Sequence, residues 1–337
     1  MSGDLHCSQN PSVWTTLVEK SLVWDNHGCM PLRANDTEFL PQLKRYKDAG
    51  VNVVTINVGF DALPWSNTAL VAETYRRWIH SHPKDYMLIE SITDINVAKT
   101  SGRLGICFDI EGGSALNGSL GMLENYYNLG VRWMLIAYNR NNALGGGCQD
   151  DDAGLTDFGK AVLDEMARVG MVVCCSHTGY RTTMEVMEHS PNPVIFSHSN
   201  PFGLWEHKRN IRDDQIRACA KTGGVIGING IGIFIGENDA TTESFVRHID
   251  YVVQLVGPQH VGISLDYCFD HTELNDYLSA NPDMFPPELG YSDGINMVEP
   301  EQFPEIADTL LGLGYTDDDV RLILGENHLR IAEQVWR

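Results

Sequence analysis

The 337-residue sequence is poor in positively charged side chains. Lys and Arg together number 24 against 45 Asp and Glu, which gives a formal charge of −21, and the basic residues form no cluster. Nucleic acids and anionic membranes attract proteins through basic surfaces. Neither is therefore an expected partner, and the acidity is typical of a protein kept soluble by its charge.

The sequence also lacks long hydrophobic runs and paired cysteines. No run of 18 apolar residues occurs, and the first residues, MSGDLHCSQNPSVW, contain neither the basic nor the apolar region of a signal peptide. The eight cysteines, at positions 7, 29, 107, 148, 174, 175, 219 and 268, include no C-x-x-C spacing. These absences predict reduced thiols and a cytoplasmic protein without a membrane anchor.

Two short apolar runs that end in Ser-His organise the chain. They are residues 171–177 (MVVCCSH) and 193–198 (PVIFSH), and each is typical of a strand buried on both faces. Residues 179–190 between them have the composition of a helix, which predicts a parallel βαβ unit. The carboxyl ends of its strands lie at one edge, so His177 and His198 can reach one metal ion.

The whole chain repeats this alternation of strands and helices. Eight apolar runs predict strands, at residues 21–27, 51–58, 104–110, 131–138, 171–177, 193–198, 224–229 and 260–266. This pattern favours a (β/α)8 TIM-like barrel over a doubly wound sheet, with residues 1–337 as a single domain. We expect a helical insertion after strand 2, with helices near 70–80 and 86–99, and a long loop over 267–300.

Polar residues follow most of these strands, at the face where such barrels carry their active sites. They are His27, Glu111, Tyr138, His177, His198 and Asp266. Cys29 lies two residues after His27, so in an extended segment both side chains point the same way. Imidazole, carboxylate and thiol donors at one rim suggest zinc or a similar ion, with Glu111 able to bridge two ions. Asp266 is placed to exchange a proton with metal-bound water.

Structural explanations compete with these roles. A lone histidine at a strand end is more often hydrogen-bonded than a ligand, although the equivalent placement of His177 and His198 favours a shared ion. Asp266 can also be a loop cap, and Cys29 can be a packed apolar residue. Glu111 would be costly to bury without a cation. The remaining histidines are scattered, and we predict no ligand role for them.

Several motifs carry a family resemblance that runs nearly from end to end. They are WDNHGCMPL (24–32), IEGGSAL (110–116), GLTDFGKAV (154–162), CSHTGY (175–180), PVIFSHSN (193–200), HKRNIRDDQI (207–216), VGISLD (261–266) and LGENHLRIAEQVW (324–336). The sequence resembles the membrane dipeptidase (renal dipeptidase) family of zinc peptidases. The resemblance implies a metal-dependent hydrolase barrel, commonly a homodimer, that cleaves small dipeptides and tolerates a D-residue at their C-terminal side.

The resemblance also implies roles for individual residues. His27 and residue 29 would bind one zinc ion, His177 and His198 the other, and Glu111 would bridge them. A hydroxide between the metals would attack the amide, and Asp266 would shuttle its proton. Arg209, in the HKRN segment, would hold an oxyanion or carboxylate with its fork of donors. A structural ion pair near a helix is the alternative for Arg209.

The sequence departs from the family pattern at the site. The family's first motif is usually His-x-Asp, whereas this chain has Cys29 as the third residue; a thiolate favours zinc over manganese or magnesium, or the first site is weak and one ion binds. Tyr138 stands where the renal enzymes have a histidine that polarises the scissile carbonyl, so we expect it to donate a hydrogen bond there. Gly230-Ile231-Gly232 leaves the mouth without a large polar or aromatic side chain.

Three functional hypotheses follow. The first is a zinc dipeptidase holding one or two ions per chain. The second is a related metal-dependent hydrolase of another small amide, such as an N-acyl amino acid or a lactam, which the residues at positions 29 and 138 motivate. The third is a metal-binding barrel that lost catalysis at Cys29.

Overall fold

The computed structural model describes Leu17, Lys20 and the ranges 21–292 and 294–337. The first 14 residues, for which the sequence predicts no signal peptide, and with them His6 and Cys7, lie outside the described part of the chain. The seven described cysteines form no disulfide with one another. Within the described ranges, no helix is both long enough and apolar enough to cross a membrane.

Eight parallel strands form the barrel, and two short strands attach to it in the same sheet. Around the barrel the order is β1-β2-β4-β5-β6-β7-β8-β9; β9 pairs with β1, and a bridge between Phe196 and Ile226 links the β7 and β8 segments. The strands are β1 (Trp24–Cys29), β2 (Val53–Phe60), β3 (Tyr86–Leu88), β4 (Leu104–Glu111), β5 (Val131–Leu135), β6 (Val172–Cys174), β7 (Val194–Ile195), β8 (Ile226–Asn229), β9 (Val261–Ser264) and β10 (Tyr267–Cys268). The barrel prediction is confirmed.

Helices surround the barrel and connect most of its strands. They are α1 (Lys44–Asp48), α2 (Trp65–Ser81), α3 (Ile92–Ser101), α4 (Gly121–Leu129), α5 (Asp157–Val169), α6 (Tyr180–His189), α7 (Asp213–Lys221), α8 (Gly232–Ile235), α9 (Thr242–Val256), α10 (His271–Ala280), α11 (Phe303–Gly312), α12 (Asp317–Arg321) and α13 (Asn327–Val335). The insertion after β2 contains α2 and α3, as the sequence predicts.

Helix α5 shows how local sequence sets these elements. The Thr156 side chain accepts a hydrogen bond from the Gly159 N–H at its start, and Gly170 ends it in a left-handed conformation. Its apolar residues recur at helical spacing and are buried. The strands are instead buried along nearly their whole length because helices cover the outer face of the barrel.

Three predicted elements differ from the structure. Tyr86–Leu88, expected to be helical, is strand β3 beside β4, and the helix begins only at Ile92, after a capping box between Ser91 and Asp94. The segment 267–300, expected to be a loop, contains β10 and α10; the Asp270 carboxylate caps α10 by accepting from the Glu273 N–H. The last predicted helix (317–335) is divided into α12 and α13 by a π-helical segment that kinks at Gly325.

Candidate metal centre

The fold brings all the predicted ligands to one rim. Three groups of side chains have their donor atoms within 4.8 Å of one another: Glu111 with His177 and His198, His27 with His198 and Asp266, and Cys29 with Asp266 and Cys268. Each of these residues ends a strand of the sheet or lies within three residues of such an end. We call His177 and His198 the histidine half of the site, and His27, Cys29, Asp266 and Cys268 the thiol half; Glu111 lies between them.

In the histidine half the two imidazoles face each other. Their Nε2 atoms are 3.0 Å apart and lie 3.4 Å (His177) and 3.2 Å (His198) from the Glu111 carboxylate. Burial lowers the pKa of both imidazoles well below the usual range, which keeps them neutral. Neutral imidazole is the form that coordinates a metal.

The outer nitrogen of each imidazole has a partner that fixes the ring. His27 Nδ1 donates to Asp109 (3.0 Å), His177 Nδ1 donates to Asn139 (2.8 Å), and His198 Nδ1 is 2.7 Å from the Ser197 hydroxyl. With Nδ1 protonated, the neutral His177 ring presents a lone pair on Nε2 to the centre. His198 does the same when its Nδ1 donates to Ser197, and a cation can then bind both Nε2 atoms, which are 3.0 Å apart. The arrangement therefore fits a metal ion, because each ring has a hydrogen-bond partner on its outer nitrogen, as metal-bound histidines usually do.

Glu111 gives a second indication that this group of residues suits a cation. Its Oε1 atom is buried and accepts no hydrogen bond among the described residues, although three imidazole Nε2 atoms lie within 3.6 Å. Burial raises the pKa of Glu111 to about 8. For His27, burial lowers the pKa, but the Asp109 and Glu111 carboxylates outweigh it and raise that pKa well above the usual value. Glu111 and His27 thus favour a positive charge at the centre, either a bound proton or a metal ion.

The thiol half closes the other side of the rim. Asp266 Oδ1 lies 3.4 Å from His27 Nε2 and accepts from the Cys29 thiol at 3.5 Å. Its second oxygen accepts a hydrogen bond from Asn229 Nδ2 at 2.8 Å. Cys29 Sγ is 3.6 Å from His27 Nε2, and the neighbouring Cys268 thiol together with burial raises the pKa of Cys29 well above the usual value.

Strained backbone supports both halves. His177, Asp266 and Asn139 all have φ near +60°, the left-handed region that residues other than glycine seldom adopt. Each such conformation costs on the order of 1 kcal/mol or more and tends to occur where function needs a side chain in a particular direction. Here the left-handed backbone directs the His177 and Asp266 side chains toward the centre and places Asn139 beside the His177 ring.

Arg209 is buried beside the histidine half. Its guanidinium donates to the backbone carbonyl of His198 at 2.9 Å and lies 3.5 Å from the Ser199 hydroxyl. Its Nε is buried and has no hydrogen-bond partner among the described residues. It also lines a second pocket together with His177 and Lys208. The structural contacts fix Arg209, and the unpaired Nε leaves donor capacity for an anion.

Tyr138 forms part of the entrance to the site. Its ring stacks on His177 with centroids 4.1 Å apart, and it lines a pocket of about 260 Å³ together with Cys29, Glu111 and Cys268. Phe60, Leu63, Tyr277 and Phe285 supply further walls of this pocket. The expectation of a mouth without large aromatic side chains is therefore wrong, because aromatic residues from the end of β2 and from the segment after β10 line this pocket.

Several site residues escaped prediction. Asp109 and Asn229 each have a signal in the sequence: Asp109 precedes Glu111 by two positions on one strand, so both face inward, and Asn229 ends a strand. Cys268 follows Asp266 at the same spacing as Cys29 follows His27. Asn139 and Asp61 have no local signal. The partly buried Asp61 carboxylate accepts hydrogen bonds from the N–H groups of Tyr138 and Ser114 and so connects two rim loops.

The two glycines after Glu111 serve packing. Gly112, at φ +119°, has the Asp61 carboxylate where a Cβ would lie, and Gly113 has the Leu144 side chain there. Both glycines therefore let the backbone after Glu111 approach these side chains closely.

A closed parallel barrel whose rim gathers histidines around a shared carboxylate defines a metal-binding (β/α)8 barrel. A profile of the membrane dipeptidase family (peptidase family M19) matches residues 67–284, well over half of the chain. The protein therefore belongs to the membrane dipeptidase family.

Individual proteins show the same relationship. An uncharacterized dipeptidase of Schizosaccharomyces pombe is 33% identical over 203 residues, which are 57% of this chain and 48% of that protein, so the match spans about half of the curated relative. The crystal structure of an amidohydrolase from Pseudomonas aeruginosa superposes with a TM-score of 0.86 at 28% identity, covering 96% of this chain and 99% of the other.

A more distant structure shares the fold. It is a metallopeptidase from Rhodobacter sphaeroides bound to a phosphinate mimic of the dipeptide L-Ala-D-Ala. Its TM-score is 0.76 at 17% identity, over 94% of this chain and 100% of the other.

Proposed function

We propose that the protein is a zinc-dependent dipeptidase that hydrolyses the amide bond of small dipeptides. The observation that carries this proposal is the buried, unpartnered Glu111 carboxylate among three imidazole Nε2 atoms, open to a pocket and close to an arginine with an unused donor. Family membership supports the reaction class.

The donor set fits zinc. His27, Cys29, Glu111, His177 and His198 would hold one or two ions, with nitrogen, sulfur and oxygen donors that borderline-soft zinc accepts. When bound, such an ion polarises a carbonyl oxygen and makes water a nucleophile near neutral pH.

The chain's own residues would hold the substrate and move its proton. Arg209 would bind the dipeptide carboxylate, because its Nε is buried and lacks a partner. Tyr138, at the pocket wall, would donate a hydrogen bond to the scissile carbonyl. Asp266, held by Asn229, would accept a proton from water and return it to the leaving amine.

The pocket on the Tyr138 side would take the first residue of the dipeptide. Its walls at Phe60, Leu63, Tyr277 and Phe285 are apolar, and its volume of about 260 Å³ suits one side chain. The carboxyl end would then point to Arg209. Because a related fold binds a mimic of L-Ala-D-Ala, dipeptides with a C-terminal D-residue belong among the first substrates to test.

The assembly and the compartment are further parts of the proposal. The family resemblance supports a homodimer, which the molecular mass in solution tests. The free thiols of the described cysteines support a reducing compartment such as the cytoplasm.

The decisive experiment is a substrate panel with zinc-loaded protein. It contains L-X-L-X and L-X-D-X dipeptides, N-acyl amino acids and lactams. We expect hydrolysis of dipeptides with an apolar first residue, reduced at least about tenfold by Arg209→Gln through a higher KM. Arg168→Gln, at an exposed ion pair with Glu124, is the control and should leave the rate unchanged. Hydrolysis confined to N-acyl amino acids or lactams would favour the second hypothesis, and no hydrolysis by metal-loaded protein would favour the non-catalytic barrel.

A further inference from the structure

We propose that Cys268 is a metal ligand, so that two thiolates, Cys29 and Cys268, hold one ion of the site beside the Asp266 carboxylate. The inference rests on the proposed function for the position of the metal, but it concerns which residues bind it and not which substrate is cleaved. It gives the thiol half a softer and more thiolate-rich donor set than histidine and carboxylate alone provide.

Strand pairing places the two thiols side by side. Strand β10 runs parallel to β1, with Gly28 opposite Tyr267 and Cys29 opposite Cys268. Neighbouring strands lie about 4.8 Å apart, which brings residues in this register close together. The donor atoms of Cys29, Asp266 and Cys268 all lie within 4.8 Å of one another. One ion can therefore reach all three.

Both thiols face the pocket, unlike most described cysteines. Cys29 and Cys268 are partly exposed and line the pocket beside Glu111. Cys107, Cys174, Cys175 and Cys219 are instead buried, as is usual where cysteine acts as a small apolar residue. A purely packing role does not require two thiols at a polar rim next to Asp266 and an unpartnered Glu111 oxygen.

The chemistry of this group favours particular metals. His27 Nε2 lies 3.6 Å from Cys29 Sγ and 3.6 Å from Glu111 Oε1. With the second thiol these residues make a set of two sulfurs, one nitrogen and one oxygen, while Asp266 beside them stays available for proton transfer. Four such donors are the usual complement of tetrahedral zinc. Thiolates select zinc and other soft ions over manganese and magnesium. We therefore expect the thiol half to retain zinc more tightly than the histidine half.

Cobalt(II) is the probe for this proposal, because thiolate ligation gives it a sulfur-to-metal charge-transfer absorption that needs no substrate. We compare the wild type with Cys29→Ser, Cys268→Ser and the double variant, each loaded with Co²⁺ alone. The expected result is a band in the wild type, about half of it in each single variant and none in the double variant. Cys219→Ser, which removes a buried thiol far from the rim, should leave the band at full intensity.

A second measurement works without mutation. Zinc should protect two thiols per chain of the native wild type from a thiol reagent, and Cys268→Ser should lower zinc affinity about tenfold or more. Full band intensity in Cys268→Ser, or a Cys29–Cys268 disulfide in protein purified under reducing conditions, would overturn the proposal. Circular dichroism of each variant shows whether it is folded.

Failure of this inference and failure of the proposed function give different results. A two-thiolate cobalt band in a protein that cleaves no dipeptide supports the ligand assignment and contradicts the peptidase. Dipeptide hydrolysis together with a cobalt band that Cys268→Ser leaves unchanged supports the peptidase and contradicts the ligand assignment.

Discussion

The two halves of the rim differ in how firmly their donors are held. In the histidine half, both imidazoles have a partner on the outer nitrogen, Asn139 for His177 and Ser197 for His198. In the thiol half, Asp109 orients His27 and Asn229 orients Asp266, while the Cys29 thiol contacts Asp266 and His27 at the longer distances of 3.5 and 3.6 Å.

This difference suggests a division of roles. The histidine half is preorganised in the way that an open, reactive metal position requires. The thiol half relies on the softness of its donors, so its selectivity depends on sulfur chemistry more than on geometry. Glu111, between them, should matter to both. Substitutions in each half test this division, and loss of Glu111 should affect both halves alike.

Glu111→Gln should have the largest effect. The amide keeps the size of the side chain but loses the charge that balances ions on both sides, so we expect metal content to fall in both halves. Dipeptide hydrolysis should drop on the order of a thousandfold, since a metal contributes several kcal/mol to the transition state. Metal per chain and kcat/KM are the measurements. Glu124→Gln, at an exposed ion pair with Arg168, is the control; retention of wild-type metal content by Glu111→Gln would contradict the shared role.

Substitution of the residues that orient the histidines should weaken metal binding in the two halves separately. In Asp109→Asn the amide cannot accept from both His27 and Asn57, as the carboxylate does, so the thiol half should lose affinity. Asn139→Ala removes the partner of His177 and should weaken the histidine half. We expect a tenfold to hundredfold loss, roughly, of zinc affinity in each case. A stepwise zinc titration separates the two sites, and equal weakening of both by either variant would count against independent halves.

Cys29→Asp should change which metal is preferred more than how much activity remains. A carboxylate is a harder donor than a thiolate, so the ratio of zinc to manganese affinity should fall on the order of tenfold. Competition titrations measure that ratio. The hypothesis of a barrel that lost catalysis at this position makes the opposite prediction for activity, a strong rise in dipeptide hydrolysis. An unchanged metal preference would show that Cys29 is not a ligand.

The sequence was sufficient for the barrel because parallel strands covered by helices appear as continuous apolar runs that end in polar residues. Runs such as 104–110 and 260–266 have this form, and α5 has both its cap and its closing glycine in the sequence. The short strand Tyr86–Leu88 could not be recognised, since three residues carry no periodicity. Helix α10 was missed because its polar composition resembles that of a loop.

The site was predictable where its residues end strands, and less so where partners come from elsewhere. His27, Glu111, His177, His198 and Asp266 lie at equivalent places, near the carboxyl ends of their strands, so topology alone brings them together. Asn139 orients His177 only through the left-handed turn at the start of the loop after β5, which no local pattern encodes. Whether these residues hold metal stays a prediction.

Tyr138→Phe should have the smallest effect and tests whether the histidine half keeps its metal independently of the residue that covers it. The phenyl ring preserves the stacking on His177, so zinc content should stay at the wild-type level. Only the hydroxyl donor is lost, and a neutral hydrogen bond is worth about 1 kcal/mol, so kcat/KM for dipeptides should fall by about tenfold or less. Tyr251→Phe, whose hydroxyl contacts Asp213 away from the rim, serves as the control. A loss of metal in Tyr138→Phe would mean that the phenol, and not the Asn139 partner, holds His177 in place, and the distinction between a preorganised half and a chemically selected half would no longer stand.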